Sequence, residues 1–307
     1  MVKKQPFRIK SVREFHQLRG LPKPSHPLIS VVNLEGIEKF PDTVSNLVLD
    51  LYSVALKKNF TGSFKYGQQN YDFNEGTLFF MAPGQVFRIE HNPNETATKA
   101  GWQWVLLIHP DFLWNTALAR RIRQYEFFDY SVNEALFLSD KEETTIHGIL
   151  QNIQQEYHSN IDKFSKQIII SHIEALLNYS ERFYSRQFIT RDQSSHQIIE
   201  RLEALLTEHF NRENLATKGL PTVQYLAQAL NISPGYLSSL LKVHTGQNTQ
   251  QHIHNKLIEK AKEKLSTTDM SVSEIAYQLG FEHLQSFSKL FKAKTNLSPL
   301  AFRQSFN

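Results

Sequence analysis

The spacing of apolar residues divides the chain into a β-type stretch followed by helices. Residues 1–27 carry mixed charge, with one short amphipathic piece from Val12 to Leu18. They end in LPKPSHP, whose three prolines mark a connector. From Leu28 to Trp114 the apolar residues come in short runs such as LISVVNL, LVLDLYSVAL, GTLFFMA, QVFRIE and GWQWVLLIHP. These runs are rich in β-branched and aromatic side chains, and Gly62, Gly67, Asn74, Gly76 and Gly84 punctuate them. That pattern predicts an all-β unit, a sandwich or a small barrel. From Pro110 to Phe188 the period becomes helical. Ile146, Ile149, Leu150, Ile153 and Tyr157 form one stripe, and Ile169, Ile173, Leu176, Leu177 and Tyr184 another. Thr190 to Ser195 is polar and aperiodic and predicts a linker. Helical spacing resumes at Ile198 and continues to the end.

The last hundred residues contain a repeat. In the second copy, Val272, Ile275, Ala276 and Leu279 make an apolar stripe, with Ser271 or Ser273 to cap the helix and Gly280 to stop it. Leu284, Phe287, Leu290 and Phe291 make the next stripe. Two short helices around a tight Gly turn predict a helix-turn-helix. The first copy runs from Thr222 to Gly246: Val223, Leu226, Ala227 and Leu230, a turn at Asn231–Ser233, then Leu237, Leu240 and Leu241. Pro234 falls in the first turn of its helix, where its missing N–H costs nothing. The copies align as LAQALNISPGYLSSLLK and IAYQLGFEHLQSFSKLFK. Ile253, Leu257, Ala261 and Leu265 predict one long helix between them. The outer face of the second motif carries Gln285, Ser286, Ser288, Lys289 and Lys292, side chains suited to base edges and phosphates.

These residues resemble the AraC/XylS family of transcription regulators. The resemblance rests on Ile275-Ala276, Gly280-Phe281, Phe287-Ser288-Lys289, Phe291-Lys292, Asn296-Leu297-Ser298-Pro299 and Phe302-Arg303. The first copy matches at Leu226-Ala227, Ser233, Tyr236-Leu237-Ser238, Leu241-Lys242 and Thr245-Gly246. Lys289, Ser286, Asn296 and Phe302 depart from the family's usual Arg, aromatic, Gly and Tyr. The resemblance implies double-stranded DNA as partner. It places Ser233, Gly235, Ser238, Ser239 and Lys242 from the first motif at the DNA. From the second it places His283, Gln285, Ser286, Ser288, Lys289 and Lys292 there. RNA polymerase is a further candidate partner of such a regulator.

Upstream, Tyr71, Glu75-Gly76, Leu78-Phe79-Phe80 and Pro83-Gly84 resemble the cupin-type ligand-binding domain of many such regulators. The expected fold is therefore α+β in two domains. An arm over 1–27 precedes a cupin-like β-barrel over 28–114. A helical dimerisation region over 115–189, a linker over 190–197 and a double helix-turn-helix domain over 198–307 follow. The barrel implies a small-molecule effector, with Tyr52, Phe64, Tyr66, Phe79, Phe87, Arg88 and Trp104 as candidate wall or rim residues. The alternative is that these aromatics only fill the core. Helices after the barrel pair subunits in this family, which makes Ile173, Leu177 and Tyr184 candidates for a homodimer contact. The alternative is packing on their own barrel.

Charge sharpens the picture. The 307 residues carry a net charge of +4. From Lys218 onward ten Lys/Arg face five Asp/Glu, so this part carries +5 and the remainder −1. A basic excess confined to the repeat suits a polyanion. The absence of Cys excludes disulfides, thiolate metal sites and Cys nucleophiles. Phe87 stands where a metal-binding cupin would carry His, so neither a metal nor a cofactor is expected. No apolar run approaches the roughly eighteen residues of a membrane span, and the basic N-terminus lacks the apolar core of a signal peptide. The expectation is a soluble cytoplasmic protein with no membrane partner. A cupin enzyme with a helical appendage needs a metal or an acid–base constellation, and the sequence offers none. A regulator without an effector, controlled by abundance or a protein partner, remains open.

Overall fold

The computed structural model describes residues 6–35, 37, 40–41, 46–57, 65–66, 69–70, 76–88, 103–130, 134–159, 162–190, 192–211 and 219–305. The chain divides into two compact units, Met1–Gln187 and Phe188–Asn307.

The first unit is built on two sheets. Strands β2 (Ile29–Asn33), β4 (Tyr52–Lys57), β7 (Thr77–Met81), β9 (Gln103–Ile108) and β10 (Leu136–Phe137) form an antiparallel sheet in the order β10-β7-β4-β9-β2. Strands β1 (Phe7–Ile9), β3 (Asn46–Leu49) and β8 (Val86–Arg88) form a second sheet, β1-β3-β8. β5 (Lys65–Tyr66) and β6 (Gln69–Asn70) pair with each other. The helices of this unit are α1 (Val12–Leu18), α2 (Leu118–Arg121), α3 (Asp140–His158) and α4 (Ser165–Thr190), whose last turn enters the second unit.

Residues opposite each other on an antiparallel ladder share a face. One face of the five-stranded sheet therefore carries Val31, Leu106, Val54 and Phe80, with Asn33, Trp104, Leu56 and Leu78 in the neighbouring row. Helical segments cover it: the Phe80 ring meets Phe127, Phe128 and Tyr184, and the Trp104 ring meets His147 of α3. The other face meets α1, β1 and β3 in a core of Ile9, Val12, Phe15, Leu47, Leu49, Leu51, Val105 and Leu107.

This layering corrects several sequence expectations. The arm expected over 1–27 is packed into the first unit over its described residues, 6–27. Ser11 caps α1, Val12 and Phe15 enter the core, β1 pairs in parallel with β3, and Arg8 bridges to Asp50 at 2.9 Å. The β unit does not stop at 114, because β10 extends the large sheet. Tyr52 and Trp104 lie on the helix-covered face and not on the wall between the sheets; Tyr52 packs edge-on against Phe128. Ile173, Leu177 and Tyr184 are buried within their own chain. The Tyr184 hydroxyl donates to the Glu134 carbonyl, and its ring stacks on Phe127, so these residues hold the first unit together. Gln187 and Arg186 add to that: Gln187 bonds both Phe137 and Ala135, and Arg186 pairs with Glu142 at 2.6 Å.

α1 also buries His16. Its Nδ1 faces the Pro22 carbonyl, and its Nε2 lies 2.8 Å from Ser30 Oγ. A carbonyl can only accept, so Nδ1 carries the proton and the neutral ring accepts from the Ser30 hydroxyl at Nε2. Burial holds the His16 pKa below its ordinary 6.5, with the Pro22 bond pulling the other way. The folded unit thus binds this proton less readily than the unfolded chain does. The stability tied to the neutral ring is present above the unfolded value of 6.5 and is lost as pH falls through the lower folded value. Melting of the first unit should therefore fall on mild acidification, and His16→Asn should flatten that fall. An identical pH profile in the variant would remove His16 as a cause. Burial lowers His26 as well, so part of the slope should remain.

The second unit is helical: α5 (Asp192–Asn211), α6 (Val223–Leu230), α7 (Pro234–Thr245), α8 (Thr249–Thr267), α9 (Val272–Gln278), α10 (Leu284–Thr295) and α11 (Pro299–Gln304). Over the expected linker, 190–197, the described residues are helical: Thr190 belongs to α4 and Asp192 onward to α5. One core joins these helices. Ile253, Leu257, Ala261 and Leu265 of α8 lie among Leu202 and Leu206 of α5, Leu226, Leu237 and Leu241 of the first motif, and Ile275, Phe287 and Phe291 of the second. Among the described residues no helix is long and apolar enough to cross a membrane. No group of three His, Asp or Glu is placed there to hold a metal.

Candidate nucleic-acid interface

Both motifs are held by the same local devices. Thr222 Oγ1 accepts from the Tyr225 N–H to start α6, and Ser271 forms a capping box with Glu274 to start α9. Each first helix turns off at a residue with positive φ: Asn231 at 58° and Gly280 at 86°. Both second helices end the same way, α7 at Gly246 (73°) and α10 at Asn296 (61°). Only Gly and Asn adopt this region at little cost, so the Asn at 296 replaces Gly without changing the turn. The threonine before each turn repeats too. Thr245 Oγ1 donates to Leu241 O and accepts from the Gln247 N–H; Thr295 Oγ1 donates to Phe291 O and accepts from the Leu297 N–H. Asn248 then caps α8, and Ser298 caps α11.

α10 is fixed from behind by aromatic contacts. Phe287 meets Phe281 at 5.4 Å and Phe291 at 5.8 Å between ring centroids, and Phe291 meets Phe302 at 5.4 Å. Arg303, which sequence reasoning quoted only as a motif residue, anchors the end of the second motif. Its Nε donates to Leu265 O at 3.2 Å and its Nη2 to Met270 O at 2.6 Å, tying α11 to the end of α8. No local spacing in the sequence signals those partners.

With Phe287 and Phe291 turned inward, α10 exposes Gln285, Ser286, Lys289 and Lys292, with His283 at its start; Ser288 is half-buried. α7 presents a flatter surface. Lys242 is exposed, while Gly235, Ser238 and Ser239 are half-buried. Ser233 is a correction to the sequence assignment. It is buried, and its hydroxyl accepts from the Tyr236 N–H at 3.2 Å as the cap of α7, a role in the helix that the assignment to DNA leaves out. Exposed cations from both motifs and carboxamide and hydroxyl groups on α10 make a surface able to meet phosphates and base edges together.

The effector candidates divide. Phe79 lies on the face of the large sheet opposite Tyr52 and Trp104 and is half-buried, with Lys57 Nζ 5.3 Å from the centre of its ring. Phe87 stands opposite Leu47 in register and Arg88 opposite Asn46. Tyr66 pairs with Gln69 through the backbone. Phe64 lies outside the described residues.

A two-sheet unit followed by a paired helix-turn-helix unit defines a transcription regulator with a ligand-binding domain. A family model described as "AraC-like ligand binding domain" matches residues 61–167, and one described as "Helix-turn-helix domain" matches 226–305. The chain belongs to the AraC/XylS family of DNA-binding transcription regulators. It is similar to the raffinose operon transcriptional regulatory protein RafR of Pediococcus pentosaceus, 36% identical over 105 residues, 32% of this chain and 37% of that one. It is also similar to the HTH-type transcriptional activator RhaS of Salmonella schwarzengrund, 25% identical over 260 residues, 83% of this chain and 86% of that one. Among solved structures, the C-terminal domain of the response regulator yesN from Fusobacterium nucleatum matches 34% of the chain and 95% of its own, with 32% identity and a TM-score of 0.30.

Proposed function

We propose that this chain controls transcription by placing α7 and α10 in successive major grooves, about 34 Å apart. It does so in response to a small molecule bound between the sheets of the first unit. The observation that carries this reading is the exposed row Gln285, Ser286, Lys289 and Lys292 on a helix whose opposite face is fully buried. Lys242 and Lys292 serve phosphates; Gln285, Ser286 and Lys289 serve bases, with Gly235, Ser238 and Ser239 in the lesser role on α7. The half-buried wall at Phe79, with Lys57 above it, is the reading for the effector. The activity is binding and not catalysis, exercised in the compartment that holds the DNA, with RNA polymerase as the downstream partner.

The same proposal takes the working form as a homodimer, through a different face of α4 from the one first assigned. Ile168 and Tyr179 stand exposed on α4, at 40% and 38%, and Phe164, the residue before it, at 57%. Their spacing of four and eleven residues keeps them on one side of the helix, and the partner they fit is a second copy of the chain.

The test is Gln285→Ala in the full chain, assayed against a pool of randomised duplexes at one salt concentration. Preference should relax at one or two base pairs, at a cost of about 1–3 kcal/mol. Unchanged affinity with unchanged preference would move base reading away from α10.

A further inference from the structure

The first recognition helix has a support from outside its own motif. The ring of Phe188, in the last turn of α4, meets the Tyr236 ring of α7 edge-on at 5.0 Å, and both residues are buried. The Phe188 carbonyl lies in the last turn of α4. It accepts from Ser195 Oγ at 3.2 Å and from His244 Nε2 at 3.1 Å. Since a carbonyl only accepts, that nitrogen carries the proton. The His196 ring packs edge-on against His244 at 5.6 Å. All of these residues belong to the second unit.

The repeat supplies an internal comparison. Aligning the motifs sets Tyr236 against Ser286 and Ser239 against Lys289. Ser286 and Lys289 are exposed, whereas Tyr236 is buried and Ser239 half-buried. Among the described residues α10 packs on its own motif, α8 and α11, while α7 also meets Phe188 and His196. A hydrogen bond near the end of α7, at His244, and a ring contact near its start, at Tyr236, fix both rotation and tilt.

We infer that Phe188, Tyr236 and His244 form a positioning contact that sets the orientation of α7 in its groove. Base preference read by α7 then depends on the last turn of α4, and preference read by α10 does not. None of the three touches DNA; they act through Ser238, Ser239 and Lys242. The inference rests on the base-reading proposal above and extends it to residues outside either motif.

The experiment uses the full chain and selection from a randomised duplex pool. The unaltered chain should give two blocks of preferred bases, one helical turn apart, and Gln285→Ala marks which block belongs to α10. His244→Ala and Phe188→Leu should each flatten the other block by about tenfold, the scale of one base contact, and leave the α10 block intact. His244→Gln can donate to the same carbonyl and should restore the preference. A merely structural role would lower both blocks together and would show no rescue. Two intact blocks in His244→Ala, or an equal loss in both, overturns the inference. If Gln285→Ala alters neither block, the base-reading proposal fails, and this inference falls with it.

Discussion

Phe287→Ala is expected to abolish DNA binding by unfolding the second unit. The ring is fully buried between Phe281 and Phe291, in the core that joins both motifs through α8. Truncating a buried Phe costs about 3–5 kcal/mol in lost transfer free energy and cavity formation, against the roughly 5–15 kcal/mol that holds a whole domain folded. α10 has 12 residues, and at that length a helix in water depends on its packing. Thermal unfolding followed by circular dichroism should show the transition of the second unit shifted strongly down. Affinity for a specific duplex should be lost in step with the folded fraction. Ser286→Ala, one residue away but exposed, should leave the melt where it was. A Phe287→Ala protein that melted like its parent would mean that the aromatic contacts behind α10 contribute little.

Leu177→Asp is expected to unfold the first unit, and not to release a folded monomer. Leu177 is 1% exposed, on the face of α4 turned into its own chain. A carboxylate buried there has no partner, and its desolvation outweighs anything the site can return. Ile168→Asp and Tyr179→Asp change exposed positions on the other side of the same helix. They should keep the melting profile and, if α4 joins two copies, sediment as monomer. The pair of outcomes separates the two faces. Folded monomer from Leu177→Asp would restore the original interface, and unchanged dimer from Ile168→Asp together with Tyr179→Asp would clear α4 of that role.

That reversal shows which parts of the molecule were legible in the sequence. The motifs were readable because their determinants are local: caps at Ser271 and Ser233, turns at Gly280 and Asn296, and stripes of period 3.6. α4 was harder, because it is apolar on two sides. Its stronger stripe, Ile173, Leu177 and Tyr184, is the core, and the sparser Ile168 and Tyr179, with Phe164 just before the helix, is the exposed one. Nothing in a single sequence ranks those two faces. The wall residues failed for a related reason. Helices cover one face of the large sheet and the three-stranded sheet covers the other, so Ile29, Ser30 and Val31 are all buried and no alternation separates inside from outside. Tyr52 and Trp104 fell on the wrong side of that ambiguity. The expected linker was polar and aperiodic, yet Asp192–Ser195 is helical, and Ser195 is held by a carbonyl seven residues back. Ser233, placed at the DNA by the resemblance, is buried as the cap of α7.

The two helices proposed to read bases lie on one chain and present different residues: half-buried serines and an exposed lysine on α7, an exposed glutamine, serine and two lysines on α10. Two identical helices related by a two-fold axis impose a palindrome on their site, whereas these two helices, read in order, do not. On the proposed base reading, a single subunit tells one end of its site from the other and carries an arrow along the duplex. Inverting such a site in place is a different change from shifting it by a few base pairs, because inversion turns the arrow while a shift only moves it. On that reading a half-site can encode which way the subunit bound to it faces, using nothing more than the unequal halves of one repeat.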